Sequence, residues 1–287
     1  MTTIEARGLR KAYGSTIALD GVDLRVDEGR IVGLIGPNGA GKSTALNAIL
    51  GLIPFDGELR VLGRDPWTER NLLVRDVAFI ADVAVLPRWI RVAQLLDFMG
   101  GVHPRFDRAK AEAFLAKTDI RLTSKAGQLS KGMLTQLHLA LVMAIDAKLL
   151  VLDEPTLGLD ILYRKAFYDA LLNDYFDHSR TIVVTTHQVE EIQDVLTDFM
   201  FINRGRIVLD CSMEDFESRY SEVMVRAENT AAARELGPIN ERQVFGRSIF
   251  LFDRGDREKL AALGEVRTPS IADLFVAVMG KGQGGAA

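Results

Sequence analysis

Nine consecutive residues, GPNGAGKST from Gly36 to Thr44, have the spacing of a phosphate-binding loop. Glycines let backbone N–H groups approach phosphates closely, and the start of a following helix adds the positive end of its dipole. We expect Lys42 to reach the β- and γ-phosphates, Ser43 to ligate Mg²⁺ and Thr44 to contact the α-phosphate. The other nucleotide contacts are predicted from Gly36, Pro37, Asn38, Gly39, Ala40 and Gly41.

A second motif, LLVLDEP, begins at Leu149 and ends at Pro155. Its apolar run predicts a strand buried on both faces, which would carry Asp153 and Glu154 to the sheet edge where nucleotides bind. Asp153 is the candidate magnesium ligand, and Glu154 is the candidate for polarising the attacking water. Two solvated turn acids are the simpler alternative, but the agreement with the loop disfavours it. Together the motifs predict ATP binding and hydrolysis.

Several strands must hold these motifs in place. Arg30–Ile35 reads as a core strand leading into the loop, and TALNAILGL after it reads as a helix. The first 26 residues alternate like an antiparallel β segment with a turn at Gly14-Ser15. A short strand pair is predicted for Gly57–Gly63 and a further strand for Asp76–Ala81.

The order of the motifs resembles the ATP-binding subunit of an ABC transporter over residues 1 to 210. LSKGM, beginning at Leu129, is similar to the family signature, LDEPTLGLD to its Walker B and D-loop, and VVTTHQVEE to its switch-histidine segment. LSKGM is familiar among exporters, and the ending TPSIADLFVAVMG resembles the tail of exporter-type ATPases. The signature separates this family from other phosphate-loop enzymes.

The resemblance implies roles for five further residues. Tyr13 would stack on adenine, although an ordinary tyrosine at a strand edge is the alternative. His187 would contact the γ-phosphate and hold the water with Glu154. Asp160 would lie at the seam of a dimer. Ser130 and Gly132 would open a helix directed at the γ-phosphate bound by the partner subunit. The other histidines are expected to be surface or packing residues: His103, His138 and His178.

The chain departs from the family pattern at two places. The usual signature is LSGGQ, and here Lys131 and Met133 replace two of its positions while Ser130 and Gly132 remain. Lys131 either adds positive charge near the γ-phosphate or is a solvated lysine. The second departure is Asp82, which stands where the family has Gln; a carboxylate can ligate Mg²⁺ but cannot donate a hydrogen bond as an amide does.

Residues from about 87 to 146 are predicted to form an inserted helical subdomain. Apolar residues recur at helical spacing in Val92–Met99, Ala109–Lys117 and Gly132–Ile145, with breaks expected at Gly100-Gly101 and Pro104. In the family such an insert receives the membrane subunit. The segment Leu86–Ile90 is the candidate docking surface because a Trp beside an Arg is a common interface anchor. The alternative is that Trp89 fills the subdomain core.

The second half of the sequence predicts alternating helices and strands. A helix from Asp160 to about Phe176, a strand at Thr181–Thr185 and a helix at Gln188–Leu196 precede a strand pair around Arg204-Gly205. Beyond about Ser212 the pattern predicts a small accessory α/β domain, which serves dimerisation or regulation. Its predicted elements are a helix at Met213–Tyr220, strands at VMVRA and SIFLF, and an amphipathic stretch at Ile271–Met279.

Composition narrows the function classes. The net charge of −4 argues against general nucleic-acid affinity, and the single cysteine, Cys211, excludes an internal disulfide. The start lacks an apolar signal core, and the longest apolar stretch is too short to span a bilayer. We therefore expect a cytoplasmic protein that is peripheral to the cell membrane and touches it only through a separately encoded transmembrane permease.

The sequence thus predicts an α/β fold with a P-loop ABC ATPase core at 1–211, the helical insert, the accessory domain at 212–280 and a flexible tail at 281–287. The implied function is an ATPase subunit that dimerises, with a second copy of itself or a related subunit, around two Mg-ATP and drives a permease, with export favoured. A soluble ABC ATPase acting in translation or DNA maintenance is the alternative, disfavoured by the single domain and by the absence of a long coiled coil. A phosphoryl-transferring kinase is a third option, but it would need an acceptor site, and none is apparent in the sequence.

Overall fold

The computed structural model describes residues 1–80, 86–157, 159–187 and 189–281, and its strands form three sheets. The strands are β1 Thr2–Tyr13, β2 Thr16–Asp27, β3 Ile31–Ile35, β4 Asp56–Val61, β5 Val77–Ile80, β6 Leu149–Asp153, β7 Thr181–Thr186, β8 Asp198–Asn203, β9 Arg206–Ser212, β10 Tyr220–Val225, β11 Asn240–Val244, β12 Arg247–Asp253 and β13 Gly264–Arg267. The α-helices are α1 Lys42–Ile49, α2 Arg70–Leu73, α3 Val92–Val102, α4 Arg108–Leu115, α5 Lys131–Met143, α6 Ile161–Ala170, α7 Met213–Arg219, α8 Thr230–Glu235, α9 Arg257–Ala261 and α10 Ile271–Lys281.

The central sheet has the strand order β5-β6-β7-β3-β8-β9. All neighbours pair in parallel except β8 and β9, so the sheet is mixed, as predicted. Every residue of β3 and β7 is buried, because a parallel sheet covered on both faces needs continuous apolar strands. In the register Ile35 lies beside Thr186, and Asp153 beside Thr185. The C-terminal ends of three strands therefore meet at one edge.

An antiparallel sheet in the order β2-β1-β4 lies beside this core. The hairpin of β1 and β2 turns at Gly14-Ser15, which confirms that prediction. The strand pair predicted at Gly57–Gly63 is wrong, because β4 is a single strand that pairs with β1. The chain leaves β4 through a tight turn at Leu62 and Gly63, both at positive φ, and the pairing across this turn is limited to a single bridge between Val61 and Arg64.

The helical insert forms where the apolar spacing predicts it, with α3, α4 and α5 around a core of their own. The break predicted at Gly100-Gly101 is wrong, because α3 continues to Val102. A glycine inside a helix costs only about 1 kcal/mol, which the packing of Leu95 and Leu96 offsets. The helix ends where Pro104 forces the preceding residue into extended backbone.

The helix predicted at Gln188–Leu196 is also wrong within the described residues. Two single 3₁₀ turns, Val189–Glu191 and Gln193–Val195, occupy that stretch. Val189, Ile192 and Val195 recur every three residues, which is the period of a 3₁₀ turn, and all three pack into the main core. The helix predicted to reach Phe176 ends at Ala170 and continues as a wider π-type turn over Leu171–Tyr175.

The chain beyond Ser212 forms a four-stranded sheet in the order β11-β12-β10-β13. The predicted helices and two of its strands are present, whereas β11, β13, α8 and α9 were not anticipated. Its last helix, α10, buries Ile271, Leu274 and Ala277 in the same apolar core as the central sheet. The ring of Phe275 meets that of Phe201 edge-on at 5.1 Å. The boundary at residue 211 stays a prediction.

The C-terminal residues and the lengths of the helices complete the description of the fold. Of the predicted flexible tail, 281–287, only Lys281 is described, and it ends α10. Across the described ranges, no helix combines the length and apolarity needed to cross a membrane.

The contact between Phe201 of β8 and Phe275 of α10 gives a stability prediction. Phe201→Ala should lower the free energy of unfolding by about 3–5 kcal/mol, because it opens a cavity at a fully buried ring. Phe245→Ala is the matched control, since that ring is 103% exposed and its removal should change the stability by at most about 0.5 kcal/mol. Urea denaturation followed by circular dichroism measures both; equal effects would contradict this packing.

Candidate nucleotide site

The phosphate-binding loop lies between β3 and α1, as predicted. Gly41, at φ 110°, immediately precedes α1, and Gly39 has φ 79°, so both adopt left-handed backbone that favours glycine. A side chain at Gly36 would place its Cβ 2.4 Å from the carbonyl oxygen of Ile202, and one at Gly41 would be 2.5 Å from that of Ala18. The glycines therefore let the loop lie against neighbouring backbone, while Pro37 to Thr44, which include the start of α1, line the cleft.

Lys42 is buried at the first turn of α1. Its ammonium donates to the carbonyl oxygens of Gly36, at 2.7 Å, and Pro37, at 3.3 Å. Burial lowers the pKa of Lys42, while the carboxylates of Glu154 and Asp153 act in the opposite direction. An ammonium has three N–H donors, so one remains for an anion in the cleft.

The two carboxylates lie at the C-terminal end of β6, as predicted. The hydroxyl of Thr185 on β7 donates a short hydrogen bond to Oδ1 of Asp153. The backbone N–H of Glu154 donates to both the carbonyl oxygen and the hydroxyl oxygen of Thr185, each at 3.2 Å. Glu154 has φ 48°, a left-handed conformation that costs a non-glycine residue about 1–2 kcal/mol. The backbone therefore turns sharply at the residue predicted to be catalytic.

His187 follows β7 and reaches the same edge. Its Nδ1 lies 2.9 Å from Oε2 of Glu154. The Glu154 side chain is mostly buried and that of His187 is partly exposed, so the histidine lies on the solvent side of the pair. The geometry brings together the two residues that the resemblance assigns to catalysis.

These groups border an open cleft of about 310 Å³. Tyr13 is half-exposed at its wall, with the ammonium of Lys11 5.3 Å from its ring centroid. The lining residues are Tyr13, Ala18, Pro37, Asn38, Gly39, Ala40, Gly41, Lys42, Ser43, Thr44, Asp153 and Glu154. All but Ala18 are residues that the sequence singles out. Ala18 and Thr185 were missed; a polar residue ending an apolar strand two positions before His187 was the available signal for Thr185.

The donor set fits a magnesium ion. Ser43 is exposed, and neither its hydroxyl nor Oδ2 of Asp153 has a hydrogen-bond partner among the described residues. Both are oxygen donors of the kind that Mg²⁺ prefers, and it usually completes its shell with phosphate oxygens and water. Asp82, the third predicted ligand, lies outside the described residues.

Five predicted residues are not among the residues that line this cleft. Gly36 directly precedes the lining residue Pro37, and His187 contacts the lining residue Glu154, whereas the other three lie elsewhere. Ser130 is exposed and caps α5 by accepting from the N–H of Met133 at 3.2 Å. Gly132 follows in the first turn of that helix, with open space where a side chain would be. Asp160 is exposed and caps α6 by accepting from the N–H of Tyr163 at 3.0 Å. Within one chain Ser130, Gly132 and Asp160 lie at the starts of helices and do not line the nucleotide cleft.

Comparison with known proteins defines the class. Residues 19–157 match the family described as ABC transporter. The chain is 30% identical to the daunorubicin resistance ATP-binding protein of Streptomyces coeruleorubidus, over 83% of this chain and 78% of that protein. It is also 30% identical to the Nod factor export ATP-binding protein I of Cupriavidus metallidurans, over 98% and 99%. A sulfate/thiosulfate import ATP-binding protein of Bradyrhizobium diazoefficiens is 34% identical, over 74% and 64%.

Solved structures agree. An ATP-binding subunit of an ABC transporter superposes with a TM-score of 0.68 and 26% identity, covering 75% of this chain and 92% of that one. An ATP-binding cassette solved in its ADP conformation gives 0.63 and 22%, covering 75% and 92%. The fold is that of an ATP-binding cassette. The chain belongs to the ATP-binding subunits of ABC transporters.

The tight approach at Gly36 gives a binding prediction. Gly36→Ala should weaken ATP binding about 5- to 150-fold, because its Cβ would collide with β8 and an overpacking strain of about 1–3 kcal/mol would displace the loop. Titration with a fluorescent ATP analogue measures this. The control is Gly101→Ala inside α3, where a Cβ meets nothing within 4 Å; ATP affinity should be unchanged and stability should rise by about 0.5–1 kcal/mol. Wild-type affinity in Gly36→Ala would contradict the close approach of the loop to β8.

Proposed function

We propose that two copies of this subunit close around two Mg-ATP and that this closure drives a separately encoded membrane permease. The observation that carries the dimer is the split of the site. The cleft is lined by the phosphate loop and both carboxylates, and His187 contacts Glu154, whereas Ser130 and Gly132 are not among the lining residues and lie at the start of α5. A helix N-terminus carries partial positive charge and suits an anion. In the proposal, this end completes the cleft of the second copy.

An exposed apolar surface beside Asp160 supports the same arrangement. Ile161 and Leu162 are 79% and 81% exposed at the start of α6, and Leu157 and Tyr163 are also exposed. Contiguous apolar groups on a surface commonly mark a protein interface. Because they flank the residue that the resemblance assigns to the dimer seam, we infer that a second copy covers them.

The proposed chemistry follows from the contacts of the cleft. Lys42 and the loop N–H groups bind the phosphates, and the aromatic face of Tyr13 stacks on the base without selecting among purines. Ser43 and Asp153 would hold Mg²⁺, which when bound neutralises charge on the phosphate oxygens. Glu154 accepts a hydrogen bond from the attacking water. His187, whose Nδ1 lies 2.9 Å from the Glu154 carboxylate, holds that carboxylate toward the water. Hydrolysis removes the γ-phosphate and with it the contact to the partner helix.

The permease contact is proposed for the segment Leu86–Ile90. The carbonyl oxygens of Arg88 and Ile90 accept from the N–H groups of Gly127 and Ala126, each at 2.9 Å, which pins the segment to the insert. Ile90 is buried, whereas Arg88 is exposed and Trp89 is 71% exposed. The alternative that Trp89 fills the subdomain core is therefore wrong. An exposed Trp beside an Arg is suited to anchor a partner.

Export is the proposed direction. The relative named for Nod factor export matches nearly the whole chain, including the region after Ser212, whereas the relative named for import matches 74% of it. The proposed location is the cytoplasmic face of the membrane, with contact through the permease.

Removing the charge of Glu154 tests the catalytic and dimer assignments together. Glu154→Gln should lower the ATP turnover about 100-fold or more, as the loss of a general base does, and should accumulate a dimer with Mg-ATP. Size-exclusion chromatography with light scattering measures the mass. The same variant with ADP should stay monomeric, and Glu58→Gln, the same change on exposed β4, should behave as wild type. Turnover at the wild-type rate would refute the role of Glu154.

Adding Leu162→Asp to Glu154→Gln should abolish the dimer, because it places a charge in the apolar surface beside Asp160. Binding of a fluorescent ATP analogue to the monomer should not change. A dimer that persists at the same ATP concentration would show that this surface lies outside the interface.

The docking surface is tested in the transport complex. Arg88→Gln with Trp89→Ala should leave the basal ATPase activity of the isolated subunit within about twofold and reduce co-purification with the permease at least tenfold, as loss of an anchor residue does. Trp67→Ala, a half-exposed tryptophan outside the insert, is the control. Unchanged co-purification, or co-purification of the wild type with ribosomes or DNA instead of a membrane protein, would overturn this part of the proposal.

A further inference from the structure

A threonine hydroxyl joins the two carboxylate residues of the site. Thr185 is fully buried on β7, directly beside Asp153 in the parallel register. We propose that Thr185 is a positioning residue of the ATPase: its hydroxyl fixes the Asp153 carboxylate toward the magnesium nucleotide and holds the backbone of Glu154 in its left-handed turn. This inference rests on the proposed roles of Asp153 and Glu154 and assigns them a shared support.

The hydrogen bond to Asp153 decides which carboxylate oxygen is available. Rotation of an aspartate about its last side-chain bond has a broad energy profile, so a carboxylate at a strand end is poorly fixed by itself. Donation from the Thr185 hydroxyl to Oδ1 fixes the plane of the group. Oδ2 then has no partner in the described part of the chain and lies on the cleft, which Asp153 lines with Ser43. Groups that hold a metal ligand in this way set its affinity.

The same hydroxyl acts on Glu154. The hydroxyl donates its hydrogen bond to Asp153. The N–H of Glu154 donates to the hydroxyl oxygen and to the carbonyl oxygen of Thr185, each at 3.2 Å. These bonds stabilise a residue at φ 48°, a conformation in which the Cβ of a non-glycine residue crowds the following carbonyl oxygen. The left-handed turn places the Glu154 side chain beside Nδ1 of His187 at 2.9 Å. Loss of the hydroxyl would therefore loosen the catalytic pair as well as the metal ligand.

The same strand supplies a matched comparison. Thr181 begins β7, is fully buried, and its hydroxyl pairs with that of Thr3 at 3.0 Å. It has the same residue type, burial and strand as Thr185 but lies at the opposite end, away from the cleft. Valine at either position keeps the shape of the side chain and removes one buried hydroxyl together with its hydrogen bonds, so both changes should lower the stability.

The test compares Thr185→Val, Thr185→Ser and Thr181→Val. Thr185→Val should lower kcat about 10- to 100-fold and raise the Mg²⁺ concentration for half-maximal binding of a fluorescent ATP analogue by about tenfold. Affinity for the same analogue in EDTA should stay within about twofold, since the loop and Lys42 are untouched. Thr185→Ser, which keeps the hydroxyl, should recover kcat to within about threefold. Thr181→Val should lose thermal stability while keeping kcat and the Mg²⁺ dependence.

Three results would overturn the proposal: wild-type kcat and Mg²⁺ dependence in Thr185→Val, equal kinetic losses in Thr181→Val, or no recovery with serine. If Thr185→Val does not fold, Thr185→Ala removes the same hydroxyl without placing a methyl group against the Asp153 carboxylate, and it carries the same expectation. Asp153→Asn and Glu154→Gln are measured in parallel. Wild-type turnover in those two variants would refute the proposed function itself, whereas their loss of turnover with a silent Thr185→Val refutes only the positioning role.

Discussion

Parallel pairing of β3, β6 and β7 is the constraint on which the site depends. Because neighbouring parallel strands run in the same direction, the segments that leave them emerge at one edge of the sheet. Ile35 beside Thr186 and Asp153 beside Thr185 are the register pairs that align the three exits. A slip by one residue would reverse the facing of each side chain and separate the phosphate loop from the carboxylates. The buried apolar side chains of β3, β6 and β7 fix this register.

The site concentrates unfavourable features that the surrounding core supports. Lys42 is a buried cation held by two carbonyl oxygens of the loop, and the negative charges of Asp153 and Glu154 oppose the effect of its desolvation. Glu154 itself occupies a left-handed backbone conformation. Strain and buried charge of this kind persist only where rigid neighbours enforce them. The same rigidity presents the cleft in a fixed shape to a nucleotide.

The accessory sheet beyond Ser212 is connected to this edge through one shared core. Val189 and Ile192, in the described residues that follow His187, pack in the same cluster as Ile271 and Leu274 of α10. The C-terminal part and the residues that follow His187 therefore share one apolar core.

The sequence by itself predicted the phosphate loop and the two carboxylates, because each depends on residue types at fixed local spacing, and the resemblance to the family added His187. The sequence also predicted the central strands and the helices of the insert, whose apolar periodicity is local. Tertiary structure decided what local pattern cannot express. Gly100-Gly101 stays helical because Leu95 and Leu96 of the same helix pack in the core of the insert. Residues 189–195 form 3₁₀ turns because an apolar residue at every third position packs in the main core. Thr185 gained its role only when the register placed its hydroxyl between two carboxylate residues some thirty positions away in sequence.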